Sequence, residues 1–182
     1  MPKMGVNPEQ TKAPKPVPGG WYKLRVKALT ANKSKSGKGI NYQAITEVTE
    51  STAENNGSTV FVRINNGFKQ AMTANDFTHS TGLLLEKDGS FPGDWVLKDG
   101  VKGPDANGNY TDKEGKALDE LSAFDGAQYK GPILGKVLEA ELAVDNYDGQ
   151  DRNEVKQFRC KINNCAQQFP DIRHQTDIRG KK

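Results

Sequence analysis

Pro18-Gly19-Gly20-Trp21-Tyr22-Lys23-Leu24-Arg25-Val26-Lys27-Ala28 decides the fold of this chain: two glycines lead into an alternation with Tyr22, Leu24, Val26 and Ala28 on one side and Lys23, Arg25 and Lys27 on the other. A period of two is that of a half-buried strand. The loop Lys33-Ser34-Lys35-Ser36-Gly37-Lys38-Gly39 comes next. A second strand over about residues 39–49 then sets Ile40, Tyr42, Ala44, Thr46 and Val48 against Asn41, Gln43, Ile45 and Glu47. Asn55-Asn56-Gly57 supplies turn residues that tolerate positive φ, and Val60, Val62 and Ile64 form the buried side of a third strand that carries Phe61 and Arg63 on its other side. Three antiparallel strands joined by short loops make a meander.

Further along, Phe68, Ala71 and Met72 recur at helical spacing and predict a helix over about residues 67–77, with Leu83, Leu84 and Leu85 extending the apolar surface it packs on. Residues 86–116 are rich in Gly, Asp and Lys and contain Pro92 and Pro104. They read as a long irregular insertion with a hairpin around residues 91–97, or as a partly disordered loop. Leu118, Leu121 and Phe124 predict a second short helix over residues 116–124, and Gly131-Pro132 closes an acidic insertion of residues 86–130. Two alternating segments around Asp148-Gly149, residues 135–144 and 153–162, form a hairpin. The expected fold is mainly β: a five-stranded, OB-fold-like antiparallel barrel with one or two short helices and a long irregular insertion. Another small barrel or an open sheet satisfies the same strand count. Pro2, Pro8, Pro14 and Pro16 mark residues 1–17 as a disordered or extended arm, residues 18–165 form a single domain, and residues 166–182 form a basic tail.

Composition agrees with a small polar fold, since 182 residues with 34% hydrophobic content and a mean hydropathy of -0.77 fit one decorated domain. No apolar run approaches the ~18 residues of a membrane span, and the N-terminus lacks the apolar core of a signal peptide. The expectation is a cytoplasmic protein with no membrane partner, in which the two cysteines, Cys160 and Cys165, are reduced. The net charge of +3 divides unevenly. Residues 1–70 hold 11 Lys/Arg against 4 Asp/Glu, residues 71–151 hold 7 against 16, and residues 152–182 hold 8 against 3. Basic ends that meet in one sheet would present a basic surface to a polyanion, with the acidic middle on another face.

Single-stranded nucleic acid is held by cations that follow the phosphates and by aromatic faces on which bases stack. Lys23, Arg25 and Lys27 of the first strand, Lys33, Lys35 and Lys38 of the loop, and Tyr42, Phe61 and Arg63 of the next two strands supply both. Lys156, Phe158 and Arg159 of the closing hairpin add to them. Lys156 and Phe158 are expected on one face of their strand and Arg159 on the other. Trp21 and Tyr22 are expected at a barrel end or in the core.

The order Val17-Pro18-Gly19-Gly20-Trp21-Tyr22, Lys33-Ser34-Lys35-Ser36-Gly37, Glu47-Val48-Thr49-Glu50, Val60-Phe61, Leu134-Gly135-Lys136 and Asn153-Glu154-Val155-Lys156 resembles a family of bacteriophage single-stranded DNA-binding proteins with an OB-fold. The resemblance spans roughly residues 18–162. It implies a non-enzymatic protein that coats single-stranded DNA with little sequence preference during phage DNA replication or recombination, in the host cytoplasm and beside replication or recombination proteins. RNA binding and homo-oligomer formation are left open. The chain departs from the family in its long insertion and in the tail Asp177-Ile178-Arg179-Gly180-Lys181-Lys182, which lacks the acidic character many such proteins use to recruit partners.

Competing chemistries are poorly supported. The Gly131–Lys136 segment lacks P-loop spacing and has no Ser or Thr after its lysine. Asp105, Asn107 and Asn109 imitate a calcium loop, but Tyr110 stands at the glycine position and Lys116 at the glutamate. Cys160, Cys165 and His174 match no common zinc spacing, and His79 and His174 have no nucleophile beside them. No cofactor or metal is expected. A metal-dependent nuclease could draw on the acidic middle, including Asp112, Glu114, Asp119, Glu120 and Asp125, but these read as a solvated face. The remaining alternative is a protein-interaction or virion assembly barrel with no nucleic-acid role, in which Phe61 and Tyr42 contact another subunit.

Overall fold

Strand β1 (Gly20–Lys33) is the one to which the others attach, in a computed structural model that describes residues 15–64 and 73–161. It pairs antiparallel with β2 (Ile40–Thr49), which pairs in turn with β3 (Thr59–Ile64). Helix α1 (Ala74–Ser80) follows, then β4 (Asp94–Val96), the small hairpin of β5 (Tyr110–Thr111) and β6 (Ala117–Leu118), and the single turn α2 (Glu120–Ala123). The chain ends its described part with β7 (Ala127–Lys130), β8 (Val137–Tyr147) and β9 (Gln150–Phe158). The principal sheet runs β3-β2-β1-β7-β4, with β8 branching from β1 to carry β9. The fold is thus mainly β and antiparallel, and the sheet is not closed: β3 and β9 come within 8 Å between Cα atoms but share no ladder.

A bulge makes this branching possible. The register of β1 against β2 shifts between Val26 and Ala28, leaving Lys27 unpaired, so the buried side passes from Leu24 and Val26 to Leu29 and Ala31. An extra residue bends and twists its strand, and here the bend coincides with a change of partner. Residues 20–25 of β1 pair with β8, whereas Thr30 and Ala31 pair with β7. At the handover the Val26 N–H donates to the Lys136 carbonyl and the Gly135 N–H to the Val26 carbonyl, each at 2.8 Å. Strict alternation along β1 therefore ends at Lys27.

The core lies between the inner side of this sheet and α1. Leu24, Leu29, Ile64, Leu138 and Leu142 meet Phe77 and Ile133 there, all essentially inaccessible. Helix α1 starts at Ala74, later than the expected 67–77, because Thr73 and Asp76 form a capping box in which the Asp76 N–H donates to Thr73 Oγ1 at 3.1 Å and the Thr73 N–H to Asp76 Oδ2 at 3.0 Å. Residues 67–72 of the expected helix lie outside the described residues, as do residues 1–14 of the arm and the tail 166–182. Val17, assigned to the arm from sequence, is buried, and its N–H and C=O bond Asn153 Oδ1 and Nδ2 at 2.9 and 2.8 Å.

The insertion is ordered differently from the expected hairpin at 91–97. β4 pairs with β7, Trp95 opposite Tyr129, and the local hairpin is β5–β6. Tyr42 reaches into this layer from β2: its ring lies 4.9 Å from Phe91, edge-on, and 5.7 Å from Trp95, which in turn lies 5.4 Å from Tyr129. The Tyr129 hydroxyl donates to the Pro92 carbonyl between Gly93 and Gly131, and a Cβ at Gly131 would overlap its ring. Tyr42 is thereby taken off the exposed face and made a strut between meander and insertion.

The closing hairpin carries a second bulge, between Glu141 and Leu142 of β8 where they meet β9. It brings both Val155 and Phe158 inward, so Phe158 belongs to the core and does not share a face with exposed Lys156. Cys160 is disulfide-bonded, which corrects the expectation of reduced thiols; Cys165 lies outside the described residues.

Substituting the two aromatic residues of the meander should separate their roles. Tyr42→Ala is expected to lower the urea unfolding free energy by about 2–3 kcal/mol, less than the ~3–5 of a fully buried aromatic because Tyr42 is half-buried. Phe61→Ala should stay within about 0.5 kcal/mol of the parent.

Candidate nucleic-acid interface

The outer side of the meander carries most of the expected residues. Lys23, Arg25 and Lys27 on β1 and Phe61 and Arg63 on β3 are all exposed, opposite the side that faces the core. Cross-strand register sets Phe61 beside Ile45, Arg63 beside Gln43, and Arg25 beside Glu47. Phe61 is 40% exposed although the inner side already supplies the apolar core, so its ring offers a free face. Arg63 stands two residues on, on the same side of the strand.

Carboxylates are interleaved with these cations, and sequence reasoning had not matched them. Lys23 pairs with Glu50, Lys27 with Glu47 at 3.3 Å, Arg159 with Glu139 at 3.2 Å, and Lys156 with Asp145 at 2.9 Å and Glu154 at 3.8 Å. Among the described residues Arg25, Lys35, Lys38 and Arg63 form no ion pair. The strand alternation that turns Lys23 and Lys27 outward also turns Glu47 and Glu139 outward, so the signal was legible; the pairings required register. Exposed pairs of this kind are weakly held and screened by salt, so a phosphate can take over either cation.

The loop after β1 is less free than its composition indicates. Its ends are tied by Ser34 N–H to the Gly39 carbonyl at 2.8 Å and by Gly39 N–H to Ser34 Oγ at 3.2 Å. Lys33 is drawn away from solvent: its N–H donates to Asp125 Oδ1 at 2.8 Å and its Nζ to Ser122 Oγ at 2.9 Å. The bulge is the cause, since the inward parity of Leu29 and Ala31 continues to Lys33. Lys35 and Lys38 remain exposed. The structure thus gathers Lys23, Arg25, Lys27, Phe61 and Arg63 on one face, adds Lys35 and Lys38 at its loop, ties Lys33 to the insertion, and puts Tyr42 and Phe158 inside.

Trp21 joins this face from the start of β1. It is 44% exposed, and the Arg159 guanidinium sits 4.7 Å above its ring. Glu50 reaches Lys23 from a left-handed backbone, φ +52°, a conformation that costs a non-glycine residue roughly 1–2 kcal/mol. The hydrogen bond from Lys23, reinforced by its charge, holds the Glu50 carboxyl below the usual carboxylate range and raises the Lys23 ammonium. Asp145 is likewise lowered, chiefly by its hydrogen bond from Lys156. The calcium-like Asp105 turns its Oδ1 to the N–H groups of Asn107 and Asn109, and these bonds lower its carboxyl. Among the described residues no group of three or more His, Cys, Asp or Glu converges as metal ligands, and no helix is long and apolar enough to cross a membrane.

A carboxyl lowered on folding contributes stability above its unfolded pKa and loses it as pH falls through the folded value. Glu50→Gln should therefore flatten the acid side of a plot of urea midpoint against pH, below the ordinary carboxylate range, and leave the neutral plateau in place. Superimposable acid limbs would show that the Lys23 pair contributes nothing. Compared with protein-family models and with curated proteins, the chain matches none.

Proposed function

We propose that the protein binds single-stranded DNA through the outer face of β1, β2 and β3, as a non-enzymatic coating protein on an OB-like barrel left open between β3 and β9. The observation that carries this reading is the exposed Phe61 ring beside Arg63, which has no ion pair among the described residues, on a face with Arg25, Lys23 and Lys27. Bases would stack on Phe61 while phosphates run along the cations, and neither contact distinguishes one sequence from another. The order of motifs that resembles phage single-stranded DNA-binding proteins supports the same reading and adds its replication or recombination setting. A protein-interaction barrel is the second reading, favoured by the close matching of Lys23, Lys27, Lys156 and Arg159 with carboxylates.

Fluorescence anisotropy with a labelled mixed-sequence strand of 30 nucleotides, against the matching duplex and at two salt concentrations, separates the two. Tight, salt-steep binding to the single strand is expected, because displaced counterions make affinity fall with salt. Phe61→Ala should weaken it by about 5–150-fold, equivalent to the ~1–3 kcal/mol of one stacked base, with the salt slope unchanged. Arg25→Gln with Arg63→Gln should instead reduce the slope by about 1.4, for two lost phosphate contacts. Absence of binding at low salt would sink the proposal in favour of a protein partner.

A further inference from the structure

At the end of the stacking face, away from Phe61, a cleft opens where β1 begins, lined by Trp21, Tyr22, Lys23, Glu50, Ser51, Glu139 and Arg159. Its volume is about 240 Å³, below the roughly 300–1,000 Å³ of sites that enclose drug-sized ligands. A single planar ring fits that scale.

The lining is unusual for a phosphate site. Two cations are present, but each is already matched, Lys23 by Glu50 and Arg159 by Glu139. Both carboxylates keep unused lone pairs, since each carboxylate has about four acceptor positions. A phosphate gains less here than beside Arg25 and Arg63, which have no carboxylate partner among the described residues, whereas an exocyclic amino group is the donor a carboxylate accepts, as Glu or Asp does from cytosine N4. The aromatic wall is supplied by Trp21, whose ring carries the exposed Arg159 guanidinium 4.7 Å from its centroid and has no other ring against it among the described residues. Three features hold the cleft in place. Lys23 faces Glu139 across the β1–β8 ladder, the Arg159 N–H bonds the Glu139 carbonyl at 3.0 Å, and the turn after β2 is closed by Ser51 and Asn56. Glu50 is kept in its left-handed conformation at the rim of this cleft. Such backbone outliers collect at functional sites.

We propose that this cleft is a base-reading subsite, in which one base of the bound strand stacks on Trp21 and donates its exocyclic amino group to Glu50 or Glu139, favouring cytosine over thymine. The inference rests on the single-stranded DNA reading above and adds to it a modest base preference. Thymine presents a carbonyl where cytosine presents the amino group, so it would set an acceptor against a carboxylate.

The test uses the full chain and two labelled homopolymers, twenty deoxycytidines and twenty deoxythymidines, at neutral pH and one salt concentration. The wild-type protein is expected to bind the cytosine strand about 5–10-fold more tightly, the lower part of what a base-edge hydrogen bond contributes to discrimination. Glu50→Ala combined with Glu139→Ala should bring the ratio to about 1 even though the freed Lys23 and Arg159 raise affinity for both strands. Trp21→Ala should weaken both strands and also remove the preference. Equal wild-type affinities for the two strands overturn the subsite while leaving the coating function intact, and so does a preference that survives the double substitution. Failure to bind either strand overturns the coating function and the subsite with it.

Discussion

Because Lys27 has no partner opposite it, β1 bends and exchanges β8 for β7 along one edge while keeping β2 along the other. A straight strand of 14 residues would hold one neighbour on each side and present one parity to the core. The bent strand does neither. Its first half joins the closing hairpin to the meander, and its second half carries the insertion through β7 and β4. The same shift in parity buries Leu29 and Ala31 and turns Lys33 toward Ser122 and Asp125.

The two layers that grow from this strand divide the aromatic residues by task. Tyr42, Phe91, Tyr129, Trp95, Phe124 and Tyr110 form a chain of edge-on contacts that fixes the insertion against the sheet. Phe61 and Trp21 are left outside it, on the side with the cations. An exposed ring on a strand gains little stability, so its position is intelligible through what it can contact. The acidic insertion meets the loop after β1 at Lys33, so carboxylates also border the basic face near α2. Such a border would limit where the proposed single strand could lie.

The charge pattern of the outer face follows from the same geometry. Alternation sends every second residue outward regardless of sign, so the lysines of β1 meet the glutamates of β2 and β8 across the ladders. Cross-strand opposite charges stabilise a sheet modestly. They also offset much of the positive charge that residue counts alone give the face, and they leave Arg25 and Arg63, with Lys35 and Lys38 at its loop, as unmatched cations among the described residues.

The sequence by itself determined the strands of the meander and the closing hairpin, the outward position of Lys23, Arg25, Lys27, Phe61 and Arg63, and the mainly antiparallel character of the fold. These rest on local periodicity and turn chemistry, which short stretches of chain carry on their own. Tertiary structure decided the rest. Both bulges appear only when two strands are laid side by side: one draws Lys33, read from sequence as a loop residue, toward the insertion, and the other overturns the alternation that put Phe158 on one face with Lys156. Tyr42 alternates as a strand residue should, yet its partners Phe91 and Trp95 lie some fifty residues away. The β4–β7 pairing and the ion pairs across the face likewise depend on which strands the bent β1 brings together. A period of two assigns a side to each residue, but register and long-range packing decide what that side meets.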